Sequence, residues 1–432
     1  MRRRTETAVV VLAALLAGPA AAQIMTETPP QARTLPEAEQ VERELATARL
    51  RLGPVRLAPF LRLDDIGWTN NAFVTSEGEV DDVTASLSLG ARLYLPMGRK
   101  VVVRGLVAPT YDWYEEATSL RGWGGTYSGE VLGLLNRLTV GGGGERTRRI
   151  SATSSEIGRD VQNETTRAFA KAEVKVLDRF SVYAGAERAT TRIEDESFAT
   201  PGLSPVSVLD RTETAYRAGV RYAHSSALSV GALVERVEAR FEREAGVRDN
   251  DVRGTLLVVR YDRERFYLEG TAGTREGKPV VANDLYPEFR AGTYGYFASF
   301  FVTKRLELQL LGSRRPEAAL FLDNPYYFET RNGARLRFAL GRRLAVHALA
   351  DLGSNRYVNP VIETETETTV VRRDATRQWG GGLDFRVSRA VSVGLTVTKN
   401  DFDSNIGFYD REVVRVTGGL SVTADFGREE RR

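Results

Sequence analysis

Few residues in this chain are of the types that carry out catalysis. Its 432 residues include two His and no Cys, so neither a thiol nucleophile nor a zinc site is expected. His224 lies within a predicted tight turn, and His347 follows shortly after another. Neither has a recognisable nucleophile and base beside it in the pattern that hydrolysis needs. We therefore expect no enzyme, no metal ion and no cofactor.

Two other stretches could bind ligands, but each lacks part of the required pattern. Gly141-Gly142-Gly143-Gly144 has neither the Lys-Ser/Thr ending nor the following helical pattern of a phosphate-binding loop. These glycines and Gly380-Gly381-Gly382 are typical of a strand that packs closely or bends. The acidic segment Glu363-Thr364-Glu365-Thr366-Glu367 lacks the spacing and glycine of a calcium loop. A solvated loop is favoured there over a divalent-ion site.

Charged residues are informative here because many occupy every second position of a run. Alternate side chains of a β-strand point to opposite faces, so such charges share one face and would line an aqueous interior. The candidate lining residues are Arg92, Arg104, Lys171, Glu173, Lys175, Glu187, Arg217, Arg221, Glu235, Arg260, Glu269, Glu307, Arg335, Arg337, Asp384, Arg386 and Arg415. Their mixed signs indicate a weakly selective path or one for neutral solutes. The alternative role is bracing, in which opposite charges on neighbouring strands pair across the wall.

The hairpin at 334–352 shows the pattern that the whole chain repeats. Apolar residues at 334, 336, 338 and 340 alternate with Arg335 and Arg337, and Gly341-Arg342-Arg343 then turns the chain. Alternation resumes from Leu344 to Leu352. Strict period-two alternation around a tight polar turn predicts an antiparallel hairpin with one apolar face.

Tight turns and long polar connections alternate along the chain. The turns are predicted at 96–99, 136–137, 178–179, 224–226, 262–264, 304–305, 341–343 and 388–389. The long connections are predicted at 64–82, 115–122, 147–165, 190–212, 242–251, 275–288, 314–326, 353–375 and 400–411. This pattern predicts an all-β fold of about 18 strands, closed into one antiparallel transmembrane barrel with short periplasmic turns and long outer loops. A soluble sandwich or propeller also shows period two, but many strands with charge on the second face need closure to remove their edges.

The N-terminus has the features of an export signal. Arg2-Arg3-Arg4, an apolar run at 8–17 and a small-residue exit predict a signal peptide over 1–22. We interpret 23–54 as a periplasmic extension, 55–427 as the barrel and 428–432 as a polar tail. Within the extension, Pro36 to Leu50 is either a short amphipathic helix, with Val41 on its apolar side, or a leader without structure.

Charge balance bears on possible partners. The chain carries 60 basic and 57 acidic residues, and the leader holds three Arg and one Glu, which leaves 57 against 56. This balance argues against nucleic-acid binding, because a basic face would be needed.

Aromatic residues cluster near predicted strand ends, where the two interfaces of a membrane would lie. Membrane barrels carry girdles of such rings at these levels. The candidate interface residues are Trp68, Trp113, Trp123, Tyr127, Tyr327, Tyr357 and Trp379. Ordinary aromatics at strand edges are the alternative interpretation.

The leader, the hairpin series and the stretch Leu63-Asp64-Asp65-Ile66-Gly67-Trp68-Thr69-Asn70-Asn71-Ala72-Phe73 resemble the porin-like outer-membrane β-barrels grouped as β-barrel porin 2. Relatives of that group occur in exopolysaccharide operons of Gram-negative bacteria. The resemblance implies an outer-membrane channel, with secreted polysaccharide as one candidate cargo. Its implied partners are outer-membrane lipid and lipopolysaccharide, the barrel assembly machinery and periplasmic export components.

Three functional hypotheses follow from these patterns. A barrel of about 16 to 18 strands is wide enough for an aqueous lumen, so passive solute passage or polysaccharide export is favoured. The alternative is a non-conducting barrel, plugged by its own loops, that serves as a structural or assembly partner. The third and least favoured is a surface hydrolase that depends on His347.

Overall fold

The computed structural model describes residues 36–48, 50–74, 78–151, 156, 161–194, 205–321, 323–363 and 368–423. The predicted signal peptide at 1–22 and the polar tail at 428–432 lie outside these ranges. Residues 364–367 of the acidic segment do so as well. Within the described ranges, no helix is long and apolar enough to cross a membrane.

The structure is almost entirely β. A helix, α1 (Glu37–Thr47), and a three-residue strand, β1 (Leu50–Leu52), precede the sheet, and the one-turn helix α2 (Ala245–Arg248) lies in a loop. The long strands are β2 (Val55–Thr69), β3 (Asp82–Met97), β4 (Val101–Tyr114), β5 (Gly122–Leu134), β6 (Leu138–Ser151), β7 (Val161–Leu177), β8 (Phe180–Glu194), β9 (Arg211–Ala223), β10 (Leu228–Phe241), β11 (Asn250–Arg263), β12 (Phe266–Pro279), β13 (Phe289–Phe301), β14 (Leu306–Ala318), β15 (Tyr326–Ala339), β16 (Leu344–Glu363), β17 (Thr368–Arg386), β18 (Val391–Ser404) and β19 (Arg411–Thr423). Single 3₁₀ turns occur at Thr118–Leu120, Pro205–Leu209 and Gly407–Tyr409.

The sheet closes on itself. Each strand from β2 to β19 pairs antiparallel with the next, and β19 pairs back with β2, from Arg415 opposite Thr69 to Thr423 opposite Phe60. Closure gives every long strand two hydrogen-bonded neighbours, so no edge is left exposed. The predicted class, a single closed antiparallel transmembrane barrel of eighteen strands, is confirmed.

The connections alternate in length as the sequence predicts. The eight tight turns lie where they are expected; the first, between Met97 and Val101, contains Gly98 in the left-handed region at φ 68°. We use "short-turn end" for this end of the barrel and "long-loop end" for the other. β2 begins and β19 ends at the short-turn end.

One predicted loop is wrong. The stretch 353–375 is largely strand, because β16 continues to Glu363 and β17 begins at Thr368. These strands are 20 and 19 residues long, whereas about 9–11 residues cross a bilayer. Beyond the membrane both faces of a strand meet water, so polar residues occupy both faces. Period-two alternation disappears there, although the hydrogen-bonded ladder continues.

Candidate functional site: the barrel lumen

The two faces of the barrel wall differ in chemistry. Val234 and Leu257 are 55% and 56% exposed, whereas their chain neighbours Leu233 and Leu256 are 3% and 1% exposed. Other exposed apolar side chains continue this outer surface around the barrel: Leu89, Val107, Val131, Val174, Val182, Val220, Phe300, Leu310, Leu336, Val346, Leu383 and Leu395. A continuous apolar outer wall is what a lipid bilayer requires. The chain therefore spans the membrane with its strands.

Except for Glu269 and Arg415, whose strands have none of these exposed apolar side chains, the candidate lining residues have the opposite parity to them on their own strands. Many of the candidate residues form ion pairs in the barrel. Glu187 accepts a hydrogen bond from Arg167 at 2.9 Å and lies 3.5 Å from Arg217. Arg217 is also 3.7 Å from Glu235, and Glu235 pairs with Arg275. These ion pairs run from β7 to β12 along the inner wall. They fix the positions of the charges, as bracing predicts, and keep this part of the wall close to neutral.

Other predicted lining residues have local partners. Glu173 accepts from Arg221 at 3.0 Å, and Glu307 accepts from Ser299 at 2.7 Å. The remaining local contacts are Arg260 to Asp262 at 3.4 Å, Glu269 to Tyr267, and Asp384 to His347 at 3.5 Å. His347 lies four residues into β16 from its tight turn, near the short-turn end. His224 is exposed in the turn between β9 and β10.

The inner wall from β15 through β19 to β3 is richer in cations. In this sector of the described chain, arginines outnumber carboxylates on inward positions. The inward arginines include Arg62, Arg92, Arg335, Arg337, Arg386 and Arg415. Arg337 lies opposite Glu307 on one side and His347 on the other, and Arg92 lies over the Phe60 ring at 5.4 Å. One side of the lumen thus carries excess positive charge.

Loops fold inward at the long-loop end. Arg248, which is fully buried in the β10–β11 loop, donates to the Ala319 and Leu320 carbonyl oxygens at 2.6 and 2.9 Å. The Leu320 amide donates to Glu156 Oε2 at 2.6 Å. Glu156 belongs to the β6–β7 connection and Leu320 to the β14–β15 connection. Eight of the eighteen strands separate these connections, so they come from nearly opposite sides and meet over the lumen.

Glu156 is the centre of this loop contact. Burial raises the pKa of its carboxyl to about 7, against the attraction of Arg372. The Arg372 guanidinium lies 3.7 Å from Glu156, donates to Asp374 at 2.9 Å, and lies 3.5 Å from the Tyr409 ring centroid. The sequence did not predict any of these residues as functional, because their contacts join four separate loops and strands.

The aromatic predictions divide into two groups. Trp68, Trp123, Tyr127 and Trp379 are exposed on the outer wall, and Trp113 is half-buried; their role at the membrane interface stays a prediction. Tyr327 and Tyr357 do not fit this role, because they are 0% and 2% exposed. They occupy inward positions opposite each other on β15 and β16, with ring centroids 5.1 Å apart. These two tyrosines pack under the inward loops, where lipid cannot reach them.

Within the described ranges, no three His, Cys, Asp or Glu side chains are arranged to hold a metal ion. The arrangement instead provides a water-compatible interior with fixed charges, narrowed at the long-loop end by the inward loops.

Solved structures share this architecture. The outer membrane protein opdK from Pseudomonas aeruginosa is 10% identical and superposes with a TM-score of 0.50, over 85% of this chain and 98% of that one. The fold is that of the outer-membrane porins. A BenF-like porin from Pseudomonas fluorescens Pf-5 is 12% identical with a TM-score of 0.50, over 86% of this chain and 99% of that one.

Sequence comparisons add no family. No protein-family model matches the chain, and no curated protein matches it significantly. At identities of 10% and 12% the likeness to the two porins concerns the fold alone. The expectation of a porin-like barrel is confirmed at that level, whereas the resemblance to the β-barrel porin 2 group stays a prediction.

Proposed function

We propose that this protein is an outer-membrane channel for the passive passage of small hydrophilic solutes. The observation that carries the proposal is a closed eighteen-strand cylinder with apolar side chains outside and charged side chains inside. Barrels of this size are too wide to be filled by their own wall side chains. The predicted leader supports export, and the outer membrane supplies the proposed partners: lipid, lipopolysaccharide and the assembly machinery.

The inward loops favour small solutes over polymers. Glu156, Arg248 and Leu320 join across the long-loop end through buried hydrogen bonds. A polysaccharide would have to displace these contacts throughout its passage, whereas a small solute can pass beside them. One of the solved barrels named above is a porin. Polysaccharide export, the other part of the sequence hypothesis, is therefore not what we propose.

The cationic sector favours anions over cations. Arg335 and Arg337 sit on inward positions of β15, where fixed positive charge raises the local anion concentration. This preference for anions differs from the weak selectivity that the mixed signs of the charges predict. The reason is that the ion pairs between β7 and β12 neutralise one side of the lumen, and the other side stays positive.

Planar-bilayer recording of the purified protein tests the channel. We expect discrete conductance steps, and a reversal potential under a KCl gradient that shows preference for chloride. Replacing Arg335 and Arg337 by Gln should reduce this preference. The control is Arg377→Gln, which removes one positive charge from an outer-wall side chain that is 61% exposed. Steps that retain their selectivity in the double variant would contradict the role of these two arginines.

The second candidate is a barrel without flux, and the loop contact at Glu156 is the observation that favours it. Swelling of liposomes that contain the protein separates the two. If the liposomes swell in solutions of small sugars but not in solutions of sugars above a size limit, the channel is supported. Absence of swelling, together with silent bilayers, supports the non-conducting partner.

A further inference from the structure

The N-terminal helix has a location that the sequence does not predict. The sequence places this segment in the periplasm, but α1 packs against the barrel wall. Val41 is 4% exposed and contacts Val102 of β4 and Leu132 of β5 in one apolar cluster. Leu45 and Leu134 border this cluster. Helix and wall therefore share a small apolar core.

The contacted wall residues show that α1 lies inside the barrel. Leu132 has the opposite parity to Val131, which is 52% exposed on the outer wall, so the face that α1 covers is the inner one. Val102 is the second residue of β4 after the β3–β4 turn, and Leu134 is the last residue of β5 before its turn. The helix thus occupies the short-turn end of the lumen.

Ion pairs attach α1 to two strands, β4 and β7. Glu37 pairs with Lys171 of β7 and lies 3.4 Å from Arg104 of β4. Glu44, two turns along the helix, lies 3.5 Å from Arg104. Glu130 of β5 completes the network at 2.5 Å from Arg104 and 3.1 Å from Lys171. Both wall cations are among the lining residues that the sequence predicts, and here their partners include the chain's own helix.

These contacts are releasable. The side chains of Lys171 and Glu37 are 38% and 32% exposed, and those of Arg104 and Glu44 are 18% and 25% exposed. Partly exposed ion pairs contribute little and weaken as salt screens them. An 11-residue helix is marginal by itself in water. The strands, in contrast, are held by continuous series of backbone hydrogen bonds, which salt does not disrupt. The helix α1 is held by these ion pairs, by the apolar contacts of Val41 and by a hydrogen bond from Arg56 to the Leu45 carbonyl oxygen. Of these, the ion pairs are the contacts that salt screens.

We propose that α1 is a salt-sensitive plug, which closes the short-turn end of the lumen and leaves it when the Glu37 and Glu44 ion pairs weaken. This inference rests on the proposed channel function, because a plug matters only where there is flux. In the plugged state the carboxylates of the helix neutralise Arg104 and Lys171. In the open state these two cations face the solute path.

Charge removal tests the ion pairs. We expect Glu37→Gln with Glu44→Gln to shift the ratio of open to plugged barrels by about tenfold, because each partly exposed pair contributes a factor of a few. The matched control is Glu39→Gln with Glu42→Gln, which removes the same charge from the same helix. Glu39 pairs with Arg43 of the helix itself, and Glu42 is exposed. In wild type and control, conductance relative to bulk conductivity should rise with salt, and in the Glu37 and Glu44 variant it should be high at all salt concentrations.

A cross-link tests the position of the helix. The chain has no Cys, so Val41→Cys with Leu132→Cys introduces the only pair that can be joined, either as a disulfide or by a short bis-maleimide. The oxidised protein should stay at low conductance in high salt, and reduction should restore the response. The reduced double-Cys protein is the control, because it carries the same two substitutions without the covalent bond, and its conductance should still rise with salt.

The outcomes separate this inference from the channel itself. Equal conductance in wild type, charge variant and cross-linked protein would overturn the plug and leave the channel intact. If no form conducts, the channel proposal fails, and the helix is then tested by maleimide labelling of Val41→Cys. Labelling that accelerates with salt and with the Glu37 and Glu44 substitutions supports release of α1. Labelling at one rate throughout would show that the helix is a fixed part of the wall.

Discussion

The buried ion pair between Glu235 and Arg275 gives the sharpest test of how the lumen is built. The side chains of these residues are 0% and 3% exposed, although they lie on the face of the wall that we assign to an aqueous interior. Arg275 also donates to Thr293 Oγ1 at 2.9 Å. If water is excluded from this pair, as the burial indicates, Glu235→Gln leaves the Arg275 and Arg217 guanidinium groups in a low-dielectric environment. The negative charge of Glu235 then no longer balances their positive charge.

The expected magnitude follows from the burial. Removing one partner of a buried ion pair costs about 3–5 kcal/mol, because the other charge remains desolvated. The matched control is Glu276→Gln, one residue along β12 from Arg275 and on the opposite face. Its pair with Arg290 has side chains 45% and 75% exposed, and an exposed pair contributes about 0–1 kcal/mol.

The free energy of unfolding is the quantity to measure. Urea titration of the protein in lipid vesicles, followed by the fluorescence of its four Trp residues, gives this value for wild type and both variants. We expect the Glu235 variant to lose several times more stability than the Glu276 variant. A combined Glu235→Leu and Arg275→Met variant should recover much of the loss, because both charges are then absent. Equal losses below about 1 kcal/mol for Glu235→Gln and Glu276→Gln would show that water reaches the pair, and the reasoning from burial would be refuted.

Three further predictions concern the loops and the outer wall. The Glu156 pKa of about 7 in the closed loops lies above its ordinary value of 4.5, so protonation stabilises closure: this contribution is complete below pH 4.5 and is lost as the pH rises to 7. Conductance should therefore rise from pH 5 to pH 8 in wild type but not in Glu156→Gln, and a variant with the same pH response would exclude this carboxyl. Arg248→Ala removes both hydrogen bonds to the β14–β15 connection, and a hydrogen bond from a charged donor contributes about 1.5–3 kcal/mol. This variant should raise the conductance and the rate of protease cleavage of that loop. Unchanged cleavage would show that other contacts hold the loop. Leu257→Arg places a charge on an outer position that is 56% exposed and should cost about 2–4 kcal/mol in vesicles if lipid surrounds it, whereas no loss would mean that this surface does not contact hydrocarbon.

Local pattern was sufficient for the wall of the barrel. Alternation such as that of Arg335 and Arg337 with Leu336 and Phe338 predicts which side chains face outward, because the period of a strand is two wherever one face meets lipid. The tight turns could be predicted from the sequence for a related reason. Their polar residues and glycines interrupt the alternation between strands that are neighbours in the chain. Closure followed from strand number alone, since an exposed edge would leave backbone groups without partners.

What occupies the lumen depended on contacts between distant parts of the chain. Glu156 meets Leu320 across 164 residues, and Glu37 meets Lys171 across 134, so no local pattern could pair them. Tyr327 and Tyr357 illustrate the same limit, because an aromatic residue at a strand end suits both a lipid interface and a buried loop contact. The sequence by itself determined the cylinder and its two faces, since these follow from periodicity and hydrogen-bond closure. Only the tertiary structure decided that loops narrow one end of it and a helix occupies the other, since those contacts depend on where separate strands bring their connections together.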